Sequence, residues 1–149
     1  GLADYEARVE DLRTRLRDVT VSHVQLVGNE TFDNYLEGPG AFGPFRVLEE
    51  LGVERPPAEV TGEDTFSRTL SLEELPELTG DVLFYNVGYT GLDDASQKAS
   101  EQVVDSPLWQ KVPAVQDGEA YRVGPDHWAQ FGGLRSANLV LDDVEKHLT

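Results

Sequence analysis

The chain has 149 residues, a length that suits one domain with a core of its own. Its 28 acidic and 12 basic residues leave a formal net charge of −16, which argues against nucleic acid and anionic lipid surfaces as partners. It has no cysteine, which excludes disulfides and thiolate chemistry, and no apolar run of about 18 residues that would span a membrane as a helix.

Residues 3–18, ADYEARVEDLRTRLRD, place Val9, Leu12 and Leu16 on one face at helical spacing. The pattern is under way from the first residues, which suggests a piece of a longer protein. VSHVQLVG, 21–28, is a β-branched run that predicts a strand buried on both faces. NETFDNYLEGPGAFG, 29–43, has glycines and aromatics but no period, and is expected to be a loop. PFRVLEELG, 44–52, has proline at a helix start and glycine past its end. A short extended piece is expected near Val60. SLEELPELTG then opens a second helix at Ser71, where Ser71 and Glu74 have the S-x-x-E spacing of a capping box.

DVLFYNVG, 81–88, predicts another buried strand, and DDASQKASEQVVDS, 93–106, a helix with acidic residues at its positive end. DSPLWQKVPAVQDGEAYRV, 105–123, reads as scaffold, with Trp109 expected on the surface and an alternating strand at 118–124. The last helix, from Gly133 to Leu148, carries an apolar stripe of Ala137, Val140, Leu141, Val144 and Leu148. Strands alternating with helices predict an α/β, three-layer sandwich: a mostly parallel central sheet with helices on both faces. Ligands of such sheets sit at the carboxyl ends of the strands, which nominates loops 29–43, 86–92 and 124–132.

These loops bring aromatics forward: Tyr35, Phe42, Tyr89, Trp128 and Phe131. Some must cap the core, and the others would line a shallow platform for a flat or greasy ligand. Arg46, Arg68 and Arg135 lie beside the loops and could hold an anionic chelate, or simply pair with the many carboxylates. His127 is the one histidine on a candidate loop, with Asp126 beside it as the acidic partner a small α/β enzyme would need. No metal-ligand spacing, nucleophile elbow or phosphate loop is present, and EGPGAFG lacks the Lys-Ser/Thr that would follow a phosphate cradle. Glu73, left free by the cap, would stabilise the helix dipole if it did nothing else.

SPLWQKVPAVQDGEAYRV, followed by HWAQFGGLRSANLVLDDVEKHL, resembles the C-terminal end of the iron-siderophore substrate-binding proteins of ABC transporters. GPFRVLEELGV and LSLEELPELTGDVLFY resemble upstream stretches of the same family, so the likeness runs from about residue 4 to 148. It implies that residues 1–149 are the C-terminal lobe of a bilobal binding protein whose other lobe and linking helix are absent. A ferric siderophore would lie between the lobes, bringing its own iron, so no protein cofactor or metal site is expected. Cobalamin or haem could take its place. The acidic lobe would suit a neutral or cationic hydroxamate better than an anionic catecholate. The resemblance further implies ligand contacts at Trp128, Tyr89, Phe42 and Arg68, with Tyr35 and Arg135 nearby. It makes Glu73 the residue that docks on an arginine pocket of the membrane permease. The whole protein would be a monomer outside the cytoplasmic membrane, periplasmic or tethered as a lipoprotein, and not an enzyme.

Overall fold

The computed structural model describes residues 1–129 and 132–149. The chain opens with α1 (Leu2–Arg13), β1 (Val21–Leu26), β2 (Thr31–Tyr35) and α2 (Pro44–Glu50). After a 3₁₀ turn at Pro57–Glu59 come β3 (Ser67–Ser71), a second 3₁₀ turn at Leu72–Glu77, β4 (Val82–Val87) and α3 (Asp94–Val103). A third 3₁₀ turn, Trp109–Lys111, leads to α4 (Pro113–Gln116), β5 (Ala120–Arg122), α5 (Pro125–Trp128) and α6 (Gly133–Leu148).

The five strands form one sheet in the order β3-β2-β1-β4-β5. β1 pairs in parallel with β4, and β4 with β5. β1–β2 and β2–β3 are antiparallel. The sheet is therefore mixed rather than mostly parallel. The difference comes from the stretch expected to be a loop. Its first part, TFDNY, alternates exposed and buried residues, as a half-covered strand does, and turns back on β1 directly after Gly28. β3 then pairs with β2 along its full length, from Thr31–Ser71 to Tyr35–Ser67, whereas the expected piece at Val60 makes only an isolated bridge with Glu37.

β1 and β4 are the middle of the molecule, and nearly every residue in them is buried. Their side chains alternate between two cores. Val21, Val82 and Phe84 pack with α1, α2 and α6 through Leu12, Phe45, Leu48 and Leu141. Val24, Leu26, Leu83 and Val87 pack on the other face with Phe32, Leu75, Val103 and Val112. Trp109 belongs to this second core. It is buried, not exposed, with its ring edge-on to Tyr85 at 4.8 Å.

The helix opening at Ser71 is a 3₁₀ turn, because Pro76 lacks the N–H that an α-helix would need at that point. Glu74 Oε1 accepts the Ser71 N–H at 2.8 Å, as the capping spacing predicts. The short edge strand β5 is fixed by a two-pronged bond from Arg122 to Glu101 of α3, at 2.7 and 2.9 Å.

Candidate functional site

The candidate site starts from β1 and β2. His23 and Tyr35 stand on the same face of neighbouring strands, with ring centroids 6.0 Å apart. Tyr35 stacks on Phe45 at 4.7 Å and lies near-parallel to Phe66 at 6.3 Å. Phe42 meets Phe66 edge-on at 5.2 Å and Tyr35 at 6.2 Å. The rings thus step outward from the core, from buried Phe45 through half-buried Tyr35 and Phe42 to Phe66, which is 47% exposed. Burial, with Asp33 close by, pushes the Tyr35 hydroxyl above its ordinary pKa, so it stays a hydrogen-bond donor at neutral pH.

Phe66 was missed in the sequence because the strand it introduces, β3, was missed. An aromatic inside the polar run TGEDTFSR was the available signal.

Trp128 has a different place from the one the resemblance implies. Its indole has no exposed surface. It stacks on His23 at 5.4 Å and packs against Phe84 and Phe45. Its Nε1–H donates to Asp143 Oδ2 at 2.8 Å, and His127 Nε2 bonds the same oxygen at 2.8 Å. Asp143 therefore ties α5 to α6, and Trp128 offers a ligand no area in this conformation. The pairing of His127 with Asp126 does not occur. Adjacent residues on a helical turn point in different directions, and Asp126 accepts a bond from the Thr90 hydroxyl instead, at 2.5 Å. The other edge of the His127 ring lies against Gly124.

Arg68 faces away from the Tyr35 group. It stands opposite Asn34 in the β2–β3 register, one residue along from the Tyr35–Ser67 pair and so on the other side of the sheet. Its Nε donates to Asn34 Oδ1 at 2.6 Å, and Glu77 lies 3.9 Å from its guanidinium. Asn34 leads on to a buried network the sequence did not suggest. Glu59 accepts from Ser22, Asn34 and Arg55 at 2.5, 2.8 and 3.0 Å, and both partners of its ion pair with Arg55 are fully covered. This network pins the 55–61 segment against the sheet, because breaking it would strand a buried charge.

Tyr89 is 39% exposed, just beyond the carboxyl end of β4. Arg135 is exposed on the first turn of α6 and lines a surface recess with Asp126 and His127. Arg46 is held by Glu49 at 2.8 Å. Glu73 is exposed on the first turn after Ser71. Phe131 lies outside the described residues. Among the described residues, no group of three or more His, Asp or Glu side chains could hold a metal ion.

The structure thus gathers Tyr35, Phe42 and Phe66 into an open aromatic surface set into a mixed α/β sheet. A fold of this kind is that of one lobe of bilobal binding proteins. Comparison with known proteins agrees. The chain is 34% identical over 156 aligned positions, 98% of its length, to the probable siderophore-binding lipoprotein YfiY of Bacillus subtilis, and covers 46% of that protein. It is 27% identical, over 97% of its length, to the achromobactin-binding periplasmic protein of Dickeya dadantii, and covers 48% of it. Its fold matches the siderophore periplasmic binding protein from the fuscachelin gene cluster of Thermobifida fusca, with a TM-score of 0.76 and 27% identity. That match covers 97% of this chain and 51% of the other. No known family profile matches the chain.

The chain is a homologue of the siderophore-binding proteins of ABC transporters and has the fold of one of their lobes. It spans about half the length of the curated relatives it matches. Those relatives are binding proteins, and the two named here are described as a lipoprotein and a periplasmic protein. No helix among the described residues is long and apolar enough to cross a membrane.

Proposed function

We propose that this chain is the C-terminal lobe of an extracytoplasmic binding protein that carries a ferric siderophore to an ABC permease. The observation that carries the reading is its 34% identity, along almost its whole length, to a probable siderophore-binding lipoprotein. The Tyr35–Phe42–Phe66 surface supports it. A chelate has flat organic arms around a caged ion, and half-exposed rings contact such arms without needing to reach the metal. Iron arrives inside the chelate, so the lobe needs no iron ligands of its own. Tyr89 and Arg135 would meet the ligand from the neighbouring loops, while Trp128 acts from beneath by holding α5 in place. Glu73, exposed at the edge of the lobe, would dock on an arginine pocket of the permease. The protein would work as a monomer and not as an enzyme.

The test is a fluorescence titration of the full-length protein with ferric hydroxamates, ferric catecholates, haem and cobalamin. One chelate class should give saturable quenching, weakened about tenfold in Phe66→Ala, the loss expected of a central aromatic contact. A flat response to the whole panel overturns the reading. Saturation by haem or cobalamin alone would replace the siderophore with that ligand.

A further inference from the structure

The glycine-rich stretch EGPGAFG lacks the Lys-Ser/Thr of a phosphate cradle, yet two of its glycines sit where no other residue fits. The loop after β2, residues 36–43, lies along the loop before β3, residues 60–66. Backbone bonds tie both ends of the second loop to the start of the first: Leu36 N–H to Phe66 O at 2.9 Å, Glu37 N–H to Glu59 O at 2.8 Å, and Thr61 N–H to Glu37 O at 2.9 Å. Between these bonds the two backbones touch. A Cβ on Gly38 would come within 2.5 Å of the Thr61 carbonyl oxygen, and one on Gly40 would overlap the carbonyl group of Asp64. Both obstacles are main chain, so no side chain can swing aside. Glu49 of α2 adds a third hold by accepting the Gly38 N–H at 2.8 Å, with its other oxygen bound to Arg46. One of the clasped loops carries Phe42 next to its end and the other ends in Phe66.

We infer that Gly38 and Gly40 are positioning residues for the ligand surface: their missing side chains let the two loops close, and the closed loops present Phe42 and Phe66 as one edge-on pair beside Tyr35. The inference rests on the reading that this aromatic group contacts the chelate. A clasp formed before binding spares the ligand the cost of ordering two loops.

The experiment measures, in the full-length protein, the affinity for the chelate found in the titration and the amide hydrogen exchange of residues 36–44 and 59–67. Gly40→Ala should weaken binding about tenfold, the effect of losing one well-placed aromatic contact, and speed exchange in both segments. Glu49→Ala, which loosens the clasp without any overlap, should move both readouts the same way. Gly62→Ala, in the facing loop but with open space around it, should change neither. Gly52→Ala strains a positive-φ backbone (+74°) at the far end of α2, and should lower the melting temperature while leaving affinity intact. If Gly40→Ala and Glu49→Ala bind at full strength while Phe66→Ala does not, the clasp is wrong and the aromatic surface stands. The inference also fails if Gly52→Ala loses as much affinity as Gly40→Ala. If Phe66→Ala itself binds normally, the aromatic reading fails and takes the clasp with it.

Discussion

At the scale of single residues, the buried ring of His23 has the most exact chemistry. Asn86 donates its Nδ2 hydrogens to Gly88 O and Gln25 Oε1, so its Oδ1 faces His23 Nε2 at 2.8 Å as an acceptor. The proton therefore sits on Nε2, and the ring is neutral. Burial, with the positive charge of Arg55 adding to it, drives the His23 pKa down from 6.5 to about 3. The unfolded chain takes up a proton below pH 6.5, while the fold refuses one until about pH 3. Stability is therefore complete above the unfolded value and falls as the pH drops through that window, by about 1.4 kcal/mol per pH unit at most. Denaturant midpoints measured from pH 7 to pH 4 should show the fall. In His23→Gln the fall should be shallower by about that amount, although the variant starts less stable. Equal slopes in the two proteins would mean that His23 titrates in the fold. Paired carboxylates such as Glu101 and Glu119, whose pKa values are lowered first by bonds to Arg122 and Tyr121, act in the same direction in both proteins and cancel in the comparison.

At the scale of elements, patterns that one segment could satisfy alone were legible. β1 and β4 stood out as continuous apolar runs, and α6 as a stripe at helical spacing. What failed depended on a partner far along the chain. β2 is a strand because β1 and β3 lie on either side of it, and TFDNY has too few β-branched residues to announce that. With β2 and β3 hidden, Phe66 and the separation of Arg68 from Tyr35 were hidden too. Trp128 shows the same limit. A tryptophan on a ligand loop and one capping a core have the same local sequence, and only the His23 and Phe84 rings decide between them. The turn after Ser71 allows the capping role of Glu74 and the docking role proposed for Glu73 to be separated. Glu74 is spent on the Ser71 N–H, whereas Glu73 points no capping bond at the chain. Glu74→Ala should lower the melting temperature and leave permease coupling unchanged. Glu73→Ala should leave the melting temperature alone and reduce iron uptake by about tenfold in cells that depend on this protein, as losing one partner of a docking charge pair does. Uptake unaffected by Glu73→Ala would remove the docking role.

At the scale of the whole molecule, stability and binding make different demands on the chain. Its two cores lie on opposite faces of one sheet and share β1 and β4, so neither can melt without exposing the strands of the other. Both close without help from a second lobe. The 149-residue chain should therefore unfold by heat in a single cooperative transition, with calorimetric and van't Hoff enthalpies that agree. Binding is different, because the aromatic surface is an open platform. Tight sites for small ligands cover about 70–90% of the ligand, and a platform leaves the upper side of a chelate in water. Titrated beside the full-length protein with the same ferric siderophore, the isolated chain should bind at least about a hundredfold more weakly, since the proposed second lobe would supply roughly half the contacts. Sub-micromolar binding by the chain alone would show that one lobe holds a complete site, and would overturn the view that the ligand is shared between two.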